Sequence, residues 1–131
     1  MIEKVPIFSG ASEDLIKQIV AKLKSAIFTP GDYVFREGEI GDSMYFISRG
    51  QVEVVSKDGQ TIYATLSPGN FFGEIALILQ QPRNASIRAL EYVDLYTLDQ
   101  GGLQEVLQKF PAFMAHIHDL AKKRQDQFTK L

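Results

Sequence analysis

Two residues in the stretch FFGEIALILQQPRNASI, residues 71–87, are of a kind that does chemistry. Glu74 and Arg83 stand inside a mostly apolar run, with Gly73 directly before the acid and Pro82 directly before the base. The planar fork of an arginine suits a phosphate, which it binds through two parallel hydrogen bonds. A carboxylate cannot hold a phosphate, since both are anionic, but it is an acceptor suited to a sugar hydroxyl. GEIALIL is too short and too apolar for an independent helix, yet it is compatible with one or two helical turns entered at Gly73. Such a turn exposes free backbone N–H groups that an anion can use. After the loop LQQP, Arg83 returns to the same place, and the pair then describes a site for a ribose phosphate. The alternative is a structural ion pair between Glu74 and Arg83 at the domain edge.

The surrounding elements must hold these two side chains together. Residues 12–24 open with Ser12 as an N-cap and two acids in the first turn, and they place Leu15, Ile16, Ile19, Val20 and Leu23 on one helical face. From Ala26 to Leu98 the period changes to two, in the runs YVFR, MYFISR, QVEVVS, TIYATL, ASIRAL and VDLYTL. Turn signals at Pro30-Gly31-Asp32, Gly38, Gly41-Asp42, Gly50, Asp58-Gly59 and Pro68-Gly69-Asn70 separate them. Many short strands with such spacing predict an antiparallel sandwich or barrel, and a jelly roll is the natural form. Val52 and Val54 share one strand face, and Ile62, Ala64 and Leu66 share another.

Asp99 is a second N-cap, followed by a short helix in GLQEVLQKF and a longer one from Pro111 to about Phe128. On that last helix Phe113, Ile117, Leu120, Ala121, Arg124 and Phe128 share one face, and Arg124 is the only charge on it. The predicted class is mainly β with flanking helices (α+β): one domain over residues 1–131. It comprises an N-terminal helical segment at 1–25, a β-roll at 26–98 containing a short helix, and two C-terminal helices in 99–131.

Composition narrows the function. With 131 residues the chain has room for one domain with a real core. Hydrophobic residues at 45%, charged residues at 23% and a net charge of −2 describe an ordinary globular protein without a field for polyanions, which disfavours nucleic acid as a partner. Cysteine is absent, so neither a disulfide framework nor a thiolate metal site can form, in keeping with a reducing, cytoplasmic compartment. No run approaches the roughly 20 apolar residues of a membrane helix. The start MIEKVPIFSG lacks a signal-peptide core, so any span of a membrane-bound parent is expected outside this chain. His116 and His118 point apart on one helix and do not share a metal. With both histidines there, the strand-borne ligand set of a metal-dependent cupin enzyme is not expected. Lys122, Lys123 and Arg124 near a helix C-terminus first suggest a dipole complement and a solvated face.

The stretch Phe72-Gly73-Glu74-Ile75-Ala76-Leu77, followed by Pro82-Arg83-Asn84-Ala85-Ser86, resembles the phosphate-binding cassette of cyclic-nucleotide-binding domains, with its spacing intact. The resemblance extends to VPIF at 5–8, PGDYVFREGEIGDSMYFISRGQVEVV at 30–55 and RALEYVDLYTL at 88–98. Phe110-Pro111 and LAKKRQDQF look most like the C-terminal domain of cyclic-nucleotide-gated and hyperpolarisation-activated channels. The resemblance implies a cassette at 72–86 in which Gly73 and Ala76 offer backbone contacts beside Ile75, and Glu74 takes the ribose 2′-hydroxyl. Arg83 with the Ala85 amide would bind the cyclic phosphate, and Val54, Ala64 and Leu66 would line the purine. Asn84 departs from the Thr or Ser that channel relatives often carry, which leaves the purine preference open. Core packing is the alternative for the strand residues, above all Val52 and Ile62.

For Arg124 two readings stand. Its stem can lie across the core with its head in solvent. As the resembling channels imply, it can instead reach the purine from a helix that folds over the base as a lid. The implied ligand is cyclic AMP, with cyclic GMP as a second, and no metal is needed. The implied partner is an attached effector, a channel pore joined through a linker, and the isolated domain is expected to be monomeric. A kinase regulatory subunit, a transcription regulator and a structural pseudo-domain are the other settings for such a fold. Absence of a helix-turn-helix after the last helix speaks against the transcription regulator, and the presence of both Glu74 and Arg83 against the pseudo-domain.

Overall fold

The computed structural model describes residues 8–129, and the side chains of residues 8–126. Of the features named above, residues 5–7 and the Phe128 side chain lie outside the described set.

Helix α1 spans Glu13–Lys22. The Ser12 hydroxyl accepts from the Leu15 N–H at 3.1 Å, satisfying one of the free donors of the first turn. The period predicts helix to residue 24, but Leu23 adopts extended backbone and the chain passes directly into a strand. Eight strands follow: β1 (Lys24–Phe28), β2 (Tyr33–Phe35), β3 (Ser43–Arg49), β4 (Val52–Val55), β5 (Ile62–Leu66), β6 (Phe71–Phe72), β7 (Ser86–Ala89) and β8 (Val93–Asp99). Helix α2 (Glu74–Leu79) interrupts them, and α3 (Gln100–Leu107) and α4 (Pro111–Thr129) close the chain. The predicted helix in residues 102–110 begins earlier than its apolar pattern suggests, because the Asp99 carboxylate accepts from the Gly102 N–H at 2.7 Å and makes Gln100 the first helical residue.

The strands form two four-stranded sheets, ordered β1-β8-β3-β6 and β2-β7-β4-β5, with every pairing antiparallel. This is a jelly roll with flanking helices. Alternation along β3 explains the layering. Met44 and Phe46 turn to a core shared with Leu15 and Ile19 of α1, Leu103 of α3 and Ile117 of α4. Ile47 joins the core between the sheets with Val52, Val54, Phe72, Ile87 and Leu95. Each such aliphatic side chain contributes about 1.5–3 kcal/mol on full burial, so the first core holds the helices against the roll and the second holds the two sheets together.

The face predicted for β5 holds only in part. Val52 pairs with Leu66 and Val54 with Ala64, but the register then shifts and Val55 lies opposite Ile62, leaving Tyr63 as the extra residue. Ile62 is therefore no core residue: it is 55% exposed.

Candidate functional site

Strand β6 ends at Gly73, whose φ of 84° lies in the left-handed region that a side chain disfavours. That turn starts α2 and delivers Glu74 into the interior, where it is 1% exposed. Helix α4 packs against α2 and brings Arg124 across to it. Arg124 Nη1 donates to Glu74 Oε1 at 2.8 Å, Nη2 donates to the Phe71 carbonyl at 2.9 Å, and Cζ sits 4.4 Å from the centre of the Phe71 ring. Burial pushes the Glu74 carboxyl above the usual carboxylate range, while the Arg124 charge, the glutamate's own N–H and, more weakly, Arg83 oppose the shift. One position further along α4, the Gln125 amide donates to the Gln81 side chain in the loop after α2.

Arg83 follows Pro82, which bridges to Ile40. Its backbone is stitched to the β2–β3 loop, the Arg83 N–H donating to the Glu39 carbonyl and the Gly38 N–H to the Arg83 carbonyl, both at 2.8 Å. The residue is 5% exposed. Nη1 donates to the Gly73 carbonyl at 2.6 Å and Nη2 to the Ser43 carbonyl at 2.7 Å, with Cζ 3.9 Å from the centre of the Phe35 ring. Burial draws the guanidinium below its ordinary value, and Tyr45, Asp42, Glu74 and Glu39 work against that. Among the described residues Glu74 and Arg83 form no ion pair with each other: Arg124 takes the acid, and neutral carbonyls hold the base.

Of the residues singled out in the sequence, Gly73, Glu74, Ile75, Asn84, Ala85, Val54 and Arg124 line one cleft. Arg83 adjoins it through Gly73 and Phe35. Ala76 is buried in α2, and Ala64 and Leu66 pack against the core between the sheets instead of forming cleft wall. Phe35, Phe72 and Ile87 also line the cleft and were not foreseen as site residues. Phe35 carries only the period-two signal of a strand, and Gly41 and Ser43, which meet Arg83, carry only turn and strand signals. Phe71, the platform of Arg124, sits in the cassette stretch without a role of its own.

The cleft offers about 340 Å³ of atom-free space, part of it open to solvent. Ligand sites usually hold about 300–1,000 Å³, and this cleft is at the small end of that range. Among the described residues no buried side-chain nitrogen or oxygen lacks a partner. Among those residues there is also no group of three or more His, Asp or Glu able to hold a metal, and no helix long and apolar enough to cross a membrane.

Comparison with known proteins gives this geometry a context. Potassium/sodium hyperpolarization-activated cyclic nucleotide-gated channel 2 of Mus musculus is 38% identical over 130 residues, covering 99% of this chain and 15% of that protein. Channel 4 of the same name from Oryctolagus cuniculus is 36% identical over 130 residues, covering 99% of this chain and 11% of that protein. Cyclic nucleotide-gated channel alpha-2 of Bos taurus is 40% identical over 116 residues, covering 84% of this chain and 18% of that protein. The chain thus spans less than a fifth of the length of these relatives. The profile of the cyclic nucleotide-binding domain matches residues 26–110, from β1 through the cassette to the end of α3, and the chain belongs to that family.

Proposed function

We propose that the chain is a non-catalytic regulatory module that binds a 3′,5′-cyclic purine nucleotide and couples its binding to movement of α4. The observation that carries this reading is the buried Arg83 guanidinium, whose two hydrogen-bond partners are uncharged carbonyls. A guanidinium has five N–H donors, so three remain beyond these two bonds, and its charge is best matched by a phosphate reaching it through the cleft. Glu74 then accepts from the ribose 2′-hydroxyl through the carboxylate oxygen that Arg124 does not hold. The Gly73, Ala76 and Ala85 backbones complete the cradle beside Ile75. Val54 lies against the purine, with Ala64 and Leu66 behind it. Exposed Asn84 on the cleft lining offers both an amide donor and an acceptor, which the purine of cyclic AMP or of cyclic GMP can use.

Arg124 serves as the lid contact. Its partner here is the ribose-binding carboxylate and not a solvated site, so the lid and the ligand meet at Glu74. A nucleotide that changes this contact shifts the position of α4, which is the differential interaction any ligand-driven switch requires. The named relatives are cyclic nucleotide-gated channels, and their similarity supports an ion channel pore as the attached effector, on the cytoplasmic side of a membrane. Calorimetric titration with cyclic AMP and cyclic GMP, followed by recovery of the ligand, tests the reading. Saturable binding with unchanged ligand is expected. No heat from either nucleotide, or recovery of a 5′-monophosphate, would overturn it.

A further inference from the structure

Gly41 is a glycine without a backbone reason. Its φ lies outside the left-handed region that Gly31, Gly38, Gly50 and Gly73 occupy, so no positive φ calls for glycine there. The obstacle is spatial. A Cβ built at position 41 would fall inside contact distance of Arg83 Cζ and Nε, and 2.8 Å from Nη2, and these are the three nearest atoms it would meet. The Phe35 ring lies against the same guanidinium, with Cζ 3.9 Å from its centre. Bonds to Gly73 and Ser43 carbonyls fix its rotation.

The geometry points to Gly41 as a positioning residue for the bound anion: with Phe35 it forms a slot that fixes the plane of the Arg83 guanidinium. This rests on the reading of Arg83 as the phosphate ligand. The loop carrying Gly41 cannot easily give way. The Glu37 N–H donates to the buried Ser86 hydroxyl at 2.9 Å, Glu39 and Gly38 hold the Arg83 backbone, and the Gln100 N–H donates to the Asp42 carbonyl at 2.8 Å. With both ends of the loop tied down, a methyl at 41 displaces the guanidinium and not the loop. The remaining N–H donors then point away from the place where Ala85 and Gly73 would receive the phosphate, and a bidentate contact tolerates little misalignment.

The experiment is a cycle of Gly41→Ala and Arg83→Ala in the full chain, read by titration with cyclic AMP and by thermal melting. In the parent, Gly41→Ala should weaken cyclic AMP on the order of tenfold or more, by loss of one charge-assisted contact. It should also lower the melting temperature. On the Arg83→Ala background the sign should reverse, because removing a glycine from an unstrained position stabilises through the unfolded chain. There Gly41→Ala should leave the melting temperature unchanged or raise it. A role unrelated to the arginine would show the same loss in both backgrounds. If Gly41→Ala alone does not fold, recovery of folding in the double variant supports the slot, and failure of the double variant overturns it. If the parent binds cyclic AMP and Gly41→Ala binds it equally well, the inference falls while the binding function stands. If the parent itself does not bind, the functional reading fails and the positioning role goes with it.

Discussion

Arg124 and Glu74, separated by 50 positions, meet at 2.8 Å and tie the last helix to the first turn of the cassette helix. The acid is nearly inaccessible, with its side chain 2% exposed, while the arginine side chain keeps 23% of its surface in solvent. Of the two partners, the arginine is the one that solvent reaches.

Arg124→Ala should leave the Glu74 carboxylate buried without its strongest compensating charge. Stability should fall by about 1–3 kcal/mol, less than for a fully buried pair because of the solvent at Arg124. Amides in the later turns of α4 should exchange faster, while those of β3 and β8 change little. Hydrogen exchange followed by mass spectrometry separates this outcome from uniform destabilisation.

Glu74 predicts a specific pH dependence. Its folded carboxyl is raised above the ordinary value of 4.5, chiefly by burial. The folded state therefore keeps its proton in a window where the unfolded chain has released it, and stability from this group is lost as pH rises through that window. Glu74→Gln removes the ionisation. The melting temperature of the parent, relative to that of the glutamine variant, should decline as pH rises above about 4.5. A relative increase would mean that the charge of Arg124 outweighs desolvation.

Arg83→Ala should weaken cyclic nucleotide binding by about 2–5 kcal/mol, as for truncation of one partner in a desolvated charged contact. It should also destabilise the fold by about 1–3 kcal/mol, since the Gly73 and Ser43 carbonyls lose their donors. Titration and melting of the same variant give both values, and unchanged affinity would leave the arginine a purely structural role.

Glu74→Ala and removal of the ribose 2′-hydroxyl should not add. On the Glu74→Ala background, 2′-deoxy cyclic AMP should bind nearly as well as cyclic AMP, because the acceptor is already gone. Full additivity in a calorimetric cycle would place the hydroxyl elsewhere.

Local signals in the sequence were sufficient where the physics is local. Ser12, Asp99 and Pro111 mark the starts of α1, α3 and α4 because a cap or a fixed φ acts within one turn. The alternation of MYFISR was readable because each side of β3 faces a different core. The shift at Val54 and Val55 was not, since a bulge depends on the partner strand. Phe35 and Gly41 were silent for a related reason. What they meet is a guanidinium more than forty positions along the chain, and nothing within their own neighbourhoods distinguishes them from a strand residue and a turn glycine. The partner of Arg124 was equally hidden, because helical spacing gives its face but not what lies opposite.

The two ends of the cassette are fastened to different parts of the molecule. At one end Arg83 is laced by its own backbone to the β2–β3 loop. At the other, Glu74 is held from α4 by Arg124. If α4 moves as proposed, a ribose phosphate gripped by Arg83 and Glu74 would be a strut between the roll and that helix. Its length and stiffness, more than its affinity, would set where the helix comes to rest. Ligands of equal affinity but different ring pucker or phosphate span would then hold α4 at different angles, making the cleft a gauge of molecular length as well as a receptor.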